Sequence, residues 1–239
     1  MFLTKLKNNL LDILFPPICL GCQKHLEDRD KFVCDCCLSL IKLNNTLFCP
    51  VCQARLPENK RICGHGSKKS KKFPYLLAAA SSYDNKIIQE IVHNYKYKGF
   101  NRLSLVLGNI LIDYLQIARL PITGYLITYI PLYYSREKKR GFNQSKLLAE
   151  LISKNFNLEM AGVLKRIKNN PPQAKTKNYN ERAQNISGAF QIINSEKIKN
   201  RNVLLIDDVY TSGATMSEAA RILKQNGANK IIALAVAKT

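Results

Sequence analysis

The chain has 239 residues, 46% of them hydrophobic, and its 37 Lys and Arg against 17 Asp and Glu give a formal charge of +20, with eight Cys and no Trp. This hydrophobic content excludes a disordered chain, and the 11 Gly exclude a collagen. No uninterrupted apolar run of about 20 residues occurs, which excludes stable membrane insertion. Its nearest approach, Leu103 to Tyr134, is broken by Asn109, Asp113, Gln116, Arg119 and Pro121. A soluble chain with one sizeable core and a small appendage is expected. All eight Cys lie between Cys19 and Cys63, and the amino terminus has no continuous apolar stretch with a small-residue cleavage site. Clustered reduced thiols in a cytoplasmic compartment, serving as metal ligands, are therefore expected. The densest basic stretch, Tyr134 to Arg182, holds Arg136, Lys138, Lys139 and Arg140 in one expected loop. Such an excess suits a polyanionic partner, whether nucleic acid, phosphorylated substrate or acidic lipid; Lys-rich coding in an AT-rich genome produces the same balance with no such partner.

Phe2, Leu3, Leu6, Leu10, Ile13 and Leu14 share one helical face, so Phe2 to Phe15 is expected to form a short amphipathic helix stopped by Pro16 and Pro17. Docking on the neighbouring cysteine module is favoured over a membrane-surface role. Cys19 to Pro74 is loop-rich and short of hydrophobic periodicity, so a metal would have to supply its core. The polar tract Gly66 to Pro74 is the expected linker, dividing residues 1–74 from 75–239. Beyond it, strands are expected over Tyr75–Tyr83, Tyr125–Leu132, Asn202–Ile206 and Lys230–Ala237. Helices are expected over Lys86–Tyr97, Arg102–Gln116, Gln144–Phe156 and Ala214–Gln225. This alternation predicts an α/β fold with a mostly parallel sheet flanked by helices.

Cys19-x-x-Cys22, Cys34-x-x-Cys37 and Cys49-x-x-Cys52 are three knuckles, each able to wrap two thiolates around Zn²⁺. The first two complete a four-thiolate site. The third needs two further ligands, and Cys63 and His65 are the remaining candidates nearby. Cys36 lies inside the second knuckle and could replace Cys34 or Cys37. A closed tetrahedral site has no open position for water or substrate, so the expected zinc is structural. His25 and His93 are read as surface or packing residues.

The strongest functional signal is Val203 to Thr215, VLLIDDVYTSGAT. Four apolar residues form a buried strand, Asp207 and Asp208 stand at its carboxyl end, and a small-residue loop opens a helix. Ligands of open α/β sheets lie beyond the strand carboxyl ends, where loop amides and a helix amino terminus can surround a phosphate. Gly213 allows close backbone approach, Thr211, Ser212 and Thr215 supply hydroxyls, and Ala214 completes the expected binding loop. The two carboxylates suit ribose hydroxyls and, through water, Mg²⁺. This segment resembles the phosphoribosyl pyrophosphate (PRPP) motif of type I phosphoribosyltransferases, and the match is complete over its thirteen residues.

With this motif, the zinc knuckles, the opening LLDILFPPICLGC, the run RGFNQSKLLAE from Arg140 to Glu150, and the later Gln173, Arg182, Asn185, Ala189 and Phe190, the chain resembles the ComF family over nearly its full length. One departure is visible: members often carry a fourth Cys-x-x-Cys, whereas here Gly66 takes the last position and His65 would replace the ligand. The resemblance implies an amino-terminal double zinc ribbon joined to a phosphoribosyltransferase-like domain, with a role in the uptake or use of external DNA in natural transformation. It implies binding of PRPP with Mg²⁺, with Arg136, Lys138, Lys139 and Arg140 neutralising the diphosphate. Asp207 and Asp208 would be the catalytic carboxylates of any turnover. Lys175 to Arg182 would form a mobile flap, or else a plain solvated loop. Single-stranded DNA and other competence or recombination proteins are the implied partners. Two alternatives stay open: a nucleotide-salvage transferase acting on a base or small amine, and a non-enzymatic DNA-binding adaptor whose PRPP site is a relic or sensor.

Overall fold

Local chemistry sets the element boundaries in the computed structural model, which describes residues 16–56, 63, 74–170 and 184–239. The expected helix over Phe2–Phe15, the linker up to Phe73, His65, Gln173 and the segment Lys175 to Arg182 lie outside the described residues. In the cysteine module, helix α1 (Asp35–Ser39) begins at Cys34, whose sulfur accepts the Cys37 N–H. Strands β1 (Leu47–Phe48) and β2 (Arg55–Leu56) then pair antiparallel on either side of the Cys49/Cys52 knuckle.

Strand β3 (Leu76–Ser82) leads to α2 (Lys86–Tyr97), whose first N–H groups, on Ile87 and Ile88, are accepted by the Asn85 side chain. Helix α3 (Leu103–Ile117), strand β4 (Leu126–Tyr129) and the short helix α4 (Tyr134–Arg140) follow. Helix α5 (Gln144–Phe156) is capped by Asn143, which accepts the Lys146 N–H. Strands β5 (Leu164–Arg166) and β6 (Phe190–Ile192) form a separate antiparallel pair. The chain then runs through β7 (Val203–Tyr210), α6 (Ala214–Gln225) and β8 (Ile231–Lys238).

The main sheet has the order β2-β1-β3-β8-β7-β4; its last four strands are parallel, and the β1–β2 hairpin adds to β3 antiparallel. Alternation assigns each side chain to a face. Leu204 and Ile206 of β7, with Ile232 and Leu234 of β8, pack in the layer of α2, α3 and α5. Their neighbours Val203, Leu205, Ile231 and Ala233 pack in the layer of α6 and the β5–β6 pair. Small residues at Ala78, Ala79, Ala80, Ala233, Ala235 and Ala237 are fully buried and let both layers approach closely.

Three expectations change. The cysteine module is buried against the main core rather than held by metal alone: Leu26, Val33, Ile41, Leu47 and Leu56 lie in the same cluster as α2 and α3. These side chains come from turns and two-residue strands, which leave no periodicity to read. Arg136 to Arg140 do not form a loop but end a seven-residue helix, with Lys138, Lys139 and Arg140 in its last turn and Gly141 closing it at φ 86°. Cations there complement the helix dipole. Strand β7 runs to Tyr210 rather than ending before the acids, because ladder pairing with β8 continues through Asp207↔Ala235 and Tyr210↔Lys238.

Candidate phosphate-binding site and metal centres

Strand β7 ends at Tyr210, and Thr211 to Gly213 turn the chain into the twelve-residue α6. Gly213 caps that helix at φ 75°, a left-handed conformation, and a Cβ there would collide with the Tyr210 hydroxyl oxygen, so glycine is required twice over. Ser212 Oγ accepts the Ala214 N–H at 3.4 Å, while Thr211, Ser212 and Thr215 remain partly open to solvent. The neighbouring strand β4 runs parallel to β7, and the chain leaving its carboxyl end leads directly into α4. The expected phosphate loop and the basic helix thus share one edge of the sheet, where ligands of parallel α/β sheets bind.

Behind the loop stand the two carboxylates, 8% exposed at Asp207 and 3% at Asp208. Asp207 Oδ1 accepts the Ser145 hydroxyl at 2.9 Å and the Asp208 N–H at 2.9 Å. Asp208 Oδ1 accepts the Val209 N–H at 2.6 Å and the Lys96 ammonium at 2.8 Å. Burial and the adjacent Asp208 charge push Asp207 up to about 7, against the opposing pull of Lys96, the Asp208 amide and Ser145. Burial alone would lower the Lys96 pKa, but Asp208 and then Asp207 outweigh it and raise it. Asp208 Oδ2 is buried and has no hydrogen-bond partner. A buried carboxylate oxygen without a donor is costly unless a ligand supplies one. This pair of acceptors therefore fits vicinal sugar hydroxyls and hydrated Mg²⁺.

The cations divide into two groups. Lys138 and Lys139 are exposed, whereas Arg136 and Arg140 are half-buried. Arg140 lies over the Tyr97 ring, 5.8 Å from its centroid, and donates to Gln144 Oε1. Burial and the nearby Arg140 hold the Arg136 pKa below its ordinary value. Arg166, the last residue of β5, is 9% exposed, with its guanidinium 5.7 Å from the Phe190 ring centroid and Nε donating to the Lys168 carbonyl. Its pKa falls to about 10 through burial and the neighbouring Arg136, despite the attraction of Asp207. Among the described residues, Arg136, Arg140 and Arg166 have no carboxylate within ion-pair distance. Crowded guanidiniums without an acid suit an anionic ligand.

Sequence reasoning missed Lys96, Ser145 and Arg166. Lys96 follows the buried Tyr95 on α2, and Arg166 sits at an inward position of a buried-exposed-buried strand. Arg166 offered one signal, a cation at an inward strand position, whereas nothing local in the sequence marks Lys96 or Ser145.

The thiols form two groups. Sulfurs of Cys19, Cys22, Cys34 and Cys37 lie within 4.8 Å of one another, as do those of Cys49, Cys52 and Cys63. Cys36 is exposed and stands apart from both, so Cys34 and Cys37 are the ligands of their knuckle. Backbone N–H groups of Gly21 and Cys34 reach the Cys19 sulfur at 3.3 and 3.2 Å, and the Val51 N–H reaches Cys49 at 3.4 Å. Burial raises the Cys19 pKa, but the backbone N–H donors outweigh it and bring the thiol down to about 6, while burial pushes Cys37 up. Four convergent sulfurs with N–H donors fit a tetrahedral thiolate site for Zn²⁺, and the second group places three ligands. His25 and His93 are exposed, His93 lying against Tyr97 with ring centroids 5.2 Å apart. No described helix is long and apolar enough to cross a membrane.

Comparison with known proteins agrees with this architecture. The family described as phosphoribosyl transferase domain matches residues 99–239, and the double zinc ribbon domain matches residues 10–66. Competence protein F of Haemophilus influenzae is 25% identical over 220 residues, covering 89% of this chain and 93% of the relative. DNA utilization protein YhgH of Escherichia coli strain K12 is 25% identical over 217 residues, with the same coverage of 89% and 93%. Competence protein ComFC of Bacillus subtilis strain 168 is 28% identical over 202 residues, covering 83% of this chain and 80% of the relative. With a buried acid pair and a glycine-capped loop at the sheet edge, preceded by two thiol clusters and a double zinc ribbon match, the chain belongs to the phosphoribosyl transferase domain family and is a homologue, over most of its length, of the ComF-type competence and DNA utilization proteins.

Proposed function

We propose that this chain is a cytoplasmic competence protein that binds PRPP with Mg²⁺ at the β7–α6 edge and single-stranded DNA on its basic surface. The observation that carries the PRPP reading is the buried, unpartnered Asp208 Oδ2, set beside Asp207 and directly ahead of a glycine-capped loop. The loop hydroxyls and the first turn of α6 hold the sugar 5-phosphate, and the two carboxylates accept the ribose hydroxyls. Arg136, Arg140 and Arg166 take the diphosphate. Bound Mg²⁺ neutralises diphosphate charge. Were an acceptor nitrogen to attack C1, the C1–O bond would break with its electron pair leaving on the diphosphate, and the guanidiniums would stabilise that charge. DNA is supported by the +20 charge and by relatives named for competence and DNA utilization.

Titration calorimetry of PRPP with Mg²⁺ tests the site. Wild type should bind, and Asp207→Asn/Asp208→Asn should weaken binding by at least about tenfold, as expected for loss of charge-assisted contacts. No binding by wild type, or equal affinity in the variant, overturns the reading. Single-stranded DNA affinity should fall steeply and linearly with log salt concentration, and a flat response would remove the phosphate-contact argument.

A further inference from the structure

Tyr210 occupies one of the two variable positions between the acids and the phosphate loop, and its hydroxyl joins two parts of the molecule that the sequence keeps far apart. It is 2% exposed and donates at 2.9 Å to the carbonyl of Pro50. Pro50 lies inside the knuckle Cys49-Pro-Val-Cys52, next to the residue whose N–H binds the Cys49 sulfur. On its other side the Tyr210 hydroxyl meets the Tyr75 hydroxyl at 3.3 Å, and Tyr75 meets Ser217 Oγ at 3.0 Å. Because Tyr210 spends its proton on Pro50, the relay runs from Ser217 through Tyr75 and Tyr210 to the knuckle. Ser217 belongs to the first turn of α6 and returns its own N–H to the Gly213 carbonyl at 2.8 Å. Gly213 itself rests on the Tyr210 hydroxyl, the atom that a Cβ there would strike.

We propose that the second cysteine cluster sets the conformation of the phosphate loop, and that Tyr210 is the positioning residue carrying this coupling. Metal held by Cys49, Cys52 and Cys63 fixes the knuckle and with it the Pro50 carbonyl. That acceptor fixes the Tyr210 ring beneath Gly213, which holds the loop in its left-handed turn and the first turn of α6 in register. Release of the metal frees the carbonyl and loosens the anchor that holds the Tyr210 ring beneath Gly213, so the loop can shift or hydrate. The dependence is reciprocal: a phosphate monoester seated on the loop must slow metal loss from the second cluster and leave the first cluster unaffected. The inference deepens the phosphate-loop reading above, and its primary readout requires no ligand.

Hydrogen exchange by mass spectrometry on the zinc-loaded full chain tests it, comparing wild type, Tyr210→Phe and Cys52→Ser. Exchange at residues 211–215 should accelerate at least about fivefold in both variants, the lower end of coupling between sites. Tyr210→Phe should retain the zinc content of wild type, and peptides containing Cys19 to Cys37 should exchange unchanged. Adding PRPP with Mg²⁺ should slow release of one zinc to a chromogenic chelator in wild type but not in Tyr210→Phe. Unchanged loop exchange in Tyr210→Phe overturns the proposal, whether or not Cys52→Ser folds. A wild type that binds no PRPP sinks the substrate reading, while loop exchange still decides the coupling.

Discussion

Lys96 Nζ lies 2.8 Å from Asp208 Oδ1, an ion pair in which the carboxylate side chain is 4% exposed. A charge this deep is tolerated because its partner is present, and removing one member of a buried pair costs about 3–5 kcal/mol. Lys96→Met should therefore destabilise the chain by that order in urea denaturation. Adding Asp208→Asn to Lys96→Met should recover part of the loss, because no unpaired charge then remains. A double variant no more stable than the single one would show that Lys96 acts through packing alone.

Asp207 gives the stability curve a definite sign. Its pKa is raised to about 7 in the folded chain against about 3.9 when unfolded, so the folded state binds the proton more tightly. This contribution is fully present below the unfolded value and is lost as pH rises through about 7. Ligand-free wild type should lose melting temperature relative to Asp207→Asn between pH 4 and 7, in scans of both proteins side by side. Parallel curves would place the Asp207 titration elsewhere.

Arg166 is the sharpest probe of anion binding. A buried guanidinium facing Arg136 without a carboxylate partner costs the ligand-free protein stability. Arg166→Met should thus melt at or above the wild-type temperature while its PRPP affinity falls at least about tenfold, a charge-assisted contact of about 1.5–3 kcal/mol being lost. Loss of stability without loss of affinity would make Arg166 a packing residue.

Gly21 tests the first thiol cluster. A Cβ on Gly21 would lie 2.7 Å from the Cys37 sulfur and 3.1 Å from its Cβ, which forces the thiolate away from its three partners. Gly21→Ala should release zinc to a chelator faster than wild type, measured against Gly99→Ala. Gly99 has φ 74°, and a Cβ there would meet no atom within 4 Å, so it controls for backbone strain alone.

Much of the candidate site was legible because its chemistry is local in sequence. Asp207, Asp208 and Thr211 to Thr215 occupy one strand, turn and helix start, and Cys19 to Cys37 are two short knuckles. Periodicity likewise fixed α2, α5 and α6 to within a residue. What escaped depends on contacts between distant segments. Lys96 precedes Asp208 by more than a hundred positions, and nothing in its neighbourhood marks it as the partner of a buried acid. The β5–β6 pair is three residues a side, too short for an alternation signal, so Arg166 could not be placed. The basic helix α4 was hidden because its cations resemble a solvated loop until Gly141 and the carboxyl-terminal dipole are considered.

The hairpin β1–β2 has a consequence for how the chain can be divided. Strand β3 is seven residues long and almost wholly buried, with β8 on one side and only the two-residue β1 on the other. A fragment beginning at Tyr75 would present one side of β3 as unpaired N–H and C=O groups along an apolar ribbon, the template on which chains stack edge to edge. The metal-binding module therefore also caps the sheet against self-association, and a lone carboxyl-terminal fragment is expected to aggregate even where its fold is intact.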